Sequence, residues 1–410
     1  MRVCGIIAEY NPFHSGHAYQ LQAAREKSGC DYLIVAMSGD FVQRGAPAML
    51  DKYVRARMAL LAGADLVLML PVYASTASAE GFARGGIALL NSCGVVDTIS
   101  FGCEDPSICS EPYRRLAQEL FDEPEVFQKK LHEGLGSGLS YGTARSQALD
   151  LYGSEECDLS LLNQPNNLLT FEYLRAMAAF HTPFGLCPVK RSGDFLCASQ
   201  IRQRLVQDPT SLQQLCEESQ LPAFTAGLLH DYLDTYALLS QQELSAQLHY
   251  ALLMGEADGF EKYPDCSFDL SARIRRLLDS YQDFDSFCDL VKNKSLTRAR
   301  IARALIHILL QLPAHPDTPL IDSAAHLPYL RVLGMRRSAA PLLHEIKLHG
   351  SAPLITRPAM LRDMEKLDSI GALQLYSHQD LLAADIYRSA LLHTCGHCPA
   401  NDYQRKIEIL

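Results

Sequence analysis

Two histidines three positions apart, His14 and His17, close a polar turn, Asn11-Pro12-Phe13-His14-Ser15-Gly16-His17, with Gly16 between them. An apolar run, Val3-Cys4-Gly5-Ile6-Ile7-Ala8, feeds the turn, and a helical pattern (Ala18, Leu21, Ala24, Arg25) follows at once. A buried strand, a tight glycine turn and a helix start suit a nucleotide phosphate, because the first helical N–H groups point at the anion. Imidazoles at this spacing add donors for an α-phosphate under attack and for departing pyrophosphate oxygens, where fixed donors lower the barrier electrostatically. The G-x-x-x-x-G-K-[ST] signature of the Walker-type loop does not occur. A second element, Ser199-Gln200-Ile201-Arg202, starts a later helix. There Arg202 would meet the triphosphate from the opposite side, while Ser199 would cap the helix and contact the same phosphates. His14, His17, Arg202 and Ser199 are therefore the candidate catalytic residues.

These groups need a frame. Short apolar runs at 3–8, 32–37, 66–70 and 98–101 alternate with helical patterns at 18–27, 52–62 and 80–92. That order reads as α/β, a parallel sheet covered on both faces, whose site lies beyond the carboxyl ends of the strands. Those ends carry Glu9-Tyr10-Asn11, Ser38-Gly39-Asp40, Pro71-Val72-Tyr73 and Gly102-Cys103-Glu104. A helical insertion is expected over about 105–160, then the turn Asn163-Gln164-Pro165-Asn166-Asn167 opening a helix, then a strand at 186–190 ending at Arg191. The expected division is a nucleotide-binding domain over 1–210 and a mostly helical domain over 211–410, with a strand pair around 329–333.

The chain has 410 residues, enough for two domains, and no apolar stretch long enough to span a membrane or serve as a signal peptide. Thirteen cysteines scattered through apolar segments read as reduced, which points to the cytoplasm. Cys395-Gly396-His397-Cys398 lacks a second cysteine pair at zinc spacing, so no metal site is expected. The formal net charge of −10 is uneven: residues 205–261 hold nine acids and no Lys or Arg, whereas residues 271–358 hold thirteen bases and seven acids. Lys292, Lys294, Arg298, Arg300 and Arg303 lie in an acid-free stretch, 290–316. Arg300, Arg303 and His307 share one helical face there, with Ile301, Leu305, Ile308 and Leu309 turned inward; such a stripe suits a phosphate backbone. Arg44, at a strand end, would face either phosphates or RNA, while Lys52, Arg55 and Arg57 read as a solvated helix face.

The first motif together with Ser199–Arg202 resembles the HIGH-motif nucleotidyltransferase superfamily. The long stretch Ile6-Ile7-Ala8-Glu9-Tyr10-Asn11-Pro12-Phe13-His14-Ser15-Gly16-His17 is similar to the tRNA(Met) cytidine acetate ligase family. So are Met37-Ser38-Gly39-Asp40-Phe41-Val42-Gln43-Arg44-Gly45, the Asn163–Asn167 turn, Arg300-Ile301-Ala302-Arg303 and Arg331-Val332-Leu333-Gly334. The resemblance implies a Rossmann-like nucleotidyltransferase domain and a two-step reaction. Acetate attacks the α-phosphate of ATP to give acetyl-adenylate, and the acetyl group then passes to N4 of the wobble cytidine of elongator tRNA(Met). It also implies nucleotide contacts from Ile7, Ala8, Glu9, Tyr10, Asn11, Pro12, Phe13, His14, Ser15, Gly16, His17, Ala18, Tyr19 and Gln20, and from Gly102, Asn166, Asn167 and Arg191. The tRNA contacts would come from Lys292, Lys294, Arg298, Arg300 and Arg303. ATP would be a co-substrate, entering as Mg-ATP, with no permanently bound cofactor. The chain departs from the family pattern at Asp40 (usually Asn), Met69 (usually Glu), Cys103 (usually Ser) and Cys197-Ala198. Two other readings of the same residues are an enzyme making a small adenylylated cofactor and a non-catalytic RNA-binding protein. The basic stripe weighs against the first, and the intact His14, His17 and Arg202 against the second.

Overall fold

A computed structural model describes residues 1–137, 139, 141–152, 156–208, 210–293, 296–314, 326–361 and 372–410. Alternation along the first apolar runs sorts side chains to two faces of one sheet. In β1 (Val3–Ala8) and β2 (Tyr32–Ser38), Val3, Ile34 and Ala36 pack on one face, while Cys4, Ile6, Leu33, Val35 and Met37 pack on the other. A two-stranded hairpin follows, β3 (Phe41–Val42) and β4 (Ala46–Pro47). The main sheet continues with β5 (Leu66–Leu70), β6 (Thr98–Cys103) and β7 (Gly185–Lys190). It is completed by β8 (Leu330–Met335), β9 (Leu354–Ile355) and β10 (Glu408–Ile409). Its order is β10-β8-β5-β2-β1-β6-β7, with β9 also on β8. All of these pairings are parallel except β5 with β8.

The strands expected at 3–8, 32–37, 66–70, 98–101 and 186–190 are present, on a sheet that is mixed rather than wholly parallel. The strand near 329–333 is β8, but it does not form a local pair: Leu66–Met69 is its antiparallel partner. The sheet therefore crosses the boundary expected near residue 210. The helical part is joined on as well, because Phe41 and Val72 sit in the same apolar cluster as Leu244, Phe260, Phe287, Ile301 and Leu305. Among the described residues, no helix is long and apolar enough to cross a membrane.

Helices Ala79–Ser92 and Pro165–Phe180 pack together over one face, and Ser15–Ser28 and Lys52–Leu61 lie on the other. The expected solvated face of Lys52–Leu61 is a correction: Lys52 is 2% exposed and Arg55 fully buried. Lys52 Nζ lies 2.5 Å from Asp40 and 2.9 Å from Asp402, and Asp402 also pairs with the buried Arg331 at 2.6 Å. The carboxylate at position 40 thus has a partner inside the fold. Burial pushes the Asp40 carboxyl up, while Asp40 and Asp402 hold Lys52 above its usual range against the opposing effect of burial. Arg55 donates to the carbonyls of Glu9 (2.7 Å), Ser38 (3.1 Å), Gly39 and Leu50 (3.0 Å), tying together the carboxyl ends of β1 and β2. Arg57, by contrast, is partly exposed and reaches Glu408 at 3.1 Å.

The β3–β4 hairpin turns at Gly45, whose φ is +70°. A Cβ there would fall 2.4 Å from the backbone carbon of Ala302 and the nitrogen of Arg303, in helix Arg298–Leu309. Gly45→Ala combines left-handed strain with a backbone clash, so it is expected to cost about 1–3 kcal/mol. A urea unfolding midpoint equal to wild type would refute that seating.

Candidate active site

His14 is the N-cap of helix Ser15–Ser28, in extended backbone. Its Nδ1 accepts from Gly16 N–H at 3.0 Å, and its own N–H donates to His17 Nδ1 at 3.3 Å. The expectation that the first helical N–H groups point at an anion is corrected here. Ser15 N–H is held by the Gln220 carbonyl (3.0 Å), Gly16 by His14 Nδ1, and His17 by the His14 carbonyl (2.9 Å). What this closed cap leaves over is the other end of each ring. With both Nδ1 atoms accepting, each neutral imidazole carries its proton on Nε2, as a donor. The two rings lie 3.7 Å apart between centroids with a 30° tilt, and the Tyr10 ring meets His17 edge-on at 4.9 Å.

Burial, and secondly the Arg191 charge, lower the His14 pKa to about 4. Burial, then His14, then Arg191 push His17 well below its usual value. Both rings are therefore neutral at pH 7. Above pH ~6.5 neither folded nor unfolded chain protonates His14, so it contributes no pH dependence. As pH falls from ~6.5 toward 4, the unfolded chain takes up a proton that the native ring refuses, and stability drops by up to about 1.4 kcal/mol per pH unit. The urea midpoint is expected to fall between pH 6.5 and 5, and less steeply in His14→Asn; equal slopes would contradict the assignment.

The histidines open into a cleft between the start of this helix and the ends of β6 and β7. His14, Gly16, His17, Tyr19, Gln20, Gly102 and Arg191, all singled out in the sequence, line it. Val189, Lys190, Ser192, Phe195 and Leu196 also line it and were missed; the signal for Lys190 and Ser192 was their place at a strand end beside Arg191. Beneath the cleft, Tyr10, Asn11, Pro12 and Phe13 are buried, and Asn11 Oδ1 accepts from Met49 N–H at 2.8 Å. Ile7, Ala8, Glu9, Ser15 and Ala18 are half-buried and are not among the residues that line it.

Arg202 comes to the turn from helix Ala198–Gln207, its Nη1 donating to the Asn11 carbonyl at 2.6 Å. Ser199 does not cap this helix. The cap falls two residues earlier, at Cys197, and Gln200 Oε1 accepts the Cys197 N–H at 3.0 Å. The exposed Ser199 places its Oγ 2.9 Å from Cys197 Sγ. Asn166 and Asn167 are not in the cleft lining. Glu104 caps their helix, accepting from Asn167 N–H (2.8 Å) and Asn166 Nδ2 (2.6 Å). The buried Asn167 Oδ1 in turn accepts from the N–H groups of Glu104 and Asp105, at 3.0 and 3.1 Å. This pair fastens the end of β6.

The basic stripe is largely neutralised. Arg303 forms two bonds with Asp265 (2.7 and 2.9 Å), Arg300 donates to the Asp265 carbonyl (3.2 Å), and Arg298 pairs with Asp285 and, at 3.5 Å, Asp289. His307 is buried, not on the basic face, bridging the carbonyls of Pro264 (3.0 Å) and Thr76 (3.1 Å). These acids lie outside the acid-free run and fold back onto it. Lys292 is exposed, and Lys294 lies outside the described residues.

A family model described as HIGH Nucleotidyl Transferase matches residues 1–399. The tRNA(Met) cytidine acetate ligase of Thermoanaerobacter sp. (strain X514) is 35% identical, over 95% of this chain and 96% of that one. The protein of the same name from Clostridium kluyveri is 35% identical over 90% and 93%. The crystal structure of Thermotoga maritima TmcAL bound with alpha-thio ATP is 28% identical and superposes with a TM-score of 0.89 over 100% of both chains. The chain belongs to the tRNA(Met) cytidine acetate ligase family of HIGH nucleotidyl transferases.

Proposed function

We infer that the protein activates acetate with ATP and transfers the acetyl group to N4 of the wobble cytidine of elongator tRNA(Met). The observation that carries the first step is the pair of stacked neutral imidazoles with both Nε2–H groups left over beside the cleft. In that step an acetate oxygen bonds to the α-phosphorus, the bond to the bridging oxygen breaks, and pyrophosphate leaves with the electron pair. His14 and His17 donate to the phosphate oxygens as charge moves onto them. Adenosine lies against Gly102 and Arg191. ATP brings Mg²⁺ with it; no carboxylate is among the described lining residues, so phosphate oxygens and water would hold the ion. In the second step the cytosine amine attacks the acyl carbon, AMP leaves, and the amine proton is lost. The amine is a poor nucleophile, so holding both reactants together is the main source of rate.

Acetate-dependent exchange of labelled pyrophosphate into ATP, without tRNA, tests this reading. Exchange is expected with acetate and absent without it; no exchange under either condition would remove the adenylation step.

For RNA contact, the exposed charges carry the proposal: Lys292, the half-exposed Arg300, and Arg276 on helix Phe268–Leu277. The neighbouring Arg273 bonds the carbonyls of Leu290, Val291 and Lys292, which places that helix beside Lys292. Arg276→Glu with Lys292→Glu is expected to weaken tRNA binding about 10-fold and to flatten its salt dependence, because fewer counterions are released. Pyrophosphate exchange should be unchanged. Unaltered tRNA affinity would move the RNA face elsewhere.

A further inference from the structure

A second cavity, of about 450 Å³, shares no described lining residue with the catalytic cleft. That is the size of a small-molecule site. One wall is the start of helix Ala79–Ser92, which follows the carboxyl end of β5, with helices Tyr141–Leu149 and Pro165–Phe180. The other is the start of helix Arg298–Leu309, with Asp265. Cavity and cleft are linked through the carboxyl end of β6. Asn163 and Leu168 line the cavity, and between them Asn166 and Asn167 bond Glu104, two residues after the Gly102 of the cleft.

The lining is balanced in charge: Arg145, Arg175, Arg300 and Arg303 stand with Glu80, Glu123, Glu172 and Asp265. Glu172 and Arg175, each 4% exposed, pair at 2.7 Å, and Arg145 meets the same carboxylate at 2.5 Å. Leu149, Leu159, Leu162 and Leu168 supply an apolar wall. A phosphate would meet as many carboxylates as guanidiniums here and has no use for leucines. A nucleobase is apolar on its faces and carries donors and acceptors on its edge, so it suits both parts of the lining. Glu80 reaches Arg84 and Arg175 at 3.4 and 3.6 Å, longer than the inner pairs, so its carboxylate keeps acceptor capacity for an exocyclic amine. Arg300 joins the cavity to the surface, being both half-exposed and a lining residue, with its Nε held by the Asp265 carbonyl.

We propose that this cavity receives one unstacked base of the tRNA, a base carrying an exocyclic amine, while Arg300 and Lys292 hold the backbone outside it. This rests on the RNA reading given above and not on the adenylation step. The reacting cytosine must meet the acyl carbon at the histidine cleft, so the base held here is a neighbour of it in the anticodon loop. The cavity serves selection of the RNA rather than the chemistry.

The test fills the cavity. Ser146 lines it, half-buried on helix Tyr141–Leu149 and apart from the catalytic turn. Ser146→Trp and Ser146→Ala in the full chain would be compared for binding of elongator tRNA(Met), and of its anticodon stem-loop with an abasic site at one loop position at a time. Ser146→Trp is expected to weaken binding of the intact RNA about 10-fold, the worth of one base contact, with pyrophosphate exchange unchanged. Ser146→Ala should bind as wild type. One abasic position should cost the wild-type protein a similar factor and cost Ser146→Trp nothing further, because the missing base and the indole remove the same contact. Full affinity in Ser146→Trp, or losses that multiply at every position, would overturn the assignment. Lost exchange in Ser146→Trp would overturn it too, in favour of a small substrate. Wild-type protein that binds no tRNA would remove the RNA reading itself, and the proposal with it.

Discussion

Replacing His17 by alanine is expected to reduce acetate-dependent pyrophosphate exchange by about 10²–10³-fold, the cost of removing one donor from a developing oxyanion. The ring sits directly over His14, and its Nδ1 is fixed by a backbone N–H, so its Nε2–H is aimed before substrate arrives. Alanine removes that donor and also the acceptor for His14 N–H. The second loss is a capping defect, worth about 1 kcal/mol of stability. The two effects separate by measurement: a small fall in the unfolding midpoint, a large fall in exchange, and unchanged tRNA affinity. If exchange fell no more than the folded fraction did, His17 would be a cap and nothing else.

The largest expected effect on stability comes from Lys52→Met. The substitution keeps the volume of the stem but leaves Asp40 and Asp402 facing one another in the interior, with Arg331 left to Asp402 alone. Breaking one side of a buried ion network costs about 3–5 kcal/mol, because the remaining charge has neither water nor partner. The pH dependence has a definite sign. Asp40, already raised by burial, would rise further once its lysine is gone. A carboxyl raised in the folded state is tolerated below its unfolded pKa of about 3.9 and destabilises as pH climbs through the folded value. The deficit of Lys52→Met should therefore be larger at pH 8 than at pH 5. A deficit that did not vary with pH would mean that Asp40 is not charged beside Lys52.

Much of the frame was legible because buried strands leave a local mark. Residues 3–8 and 66–70 are almost continuously apolar, and the His14–His17 turn is contiguous, so its cap is encoded within four residues. What stayed hidden depends on pairs far apart in the chain. Arg331 interrupts β8 with a charge, and only Asp402 and Tyr53 explain its burial. Lys52 and Arg55 carry the composition of a wet helix face until Asp402 and the carbonyls at the ends of β1 and β2 are brought to them. Asp265 meets Arg303 across 38 residues, so a run that is acid-free in sequence is not acid-free in space. Ser199 failed locally instead: serine outranks cysteine as an N-cap by propensity, yet the cap is Cys197, two residues earlier.

The central claim, that this site activates acetate for a tRNA cytosine, is tested most directly by product analysis. Labelled acetate, ATP and tRNA would be incubated with the protein and the tRNA digested to nucleosides. The account predicts label in N4-acetylcytidine at the wobble position of elongator tRNA(Met), with one AMP and one pyrophosphate released per acetyl group transferred. Acetate-dependent release of AMP with no label in cytidine would contradict it and direct the search to another acyl acceptor.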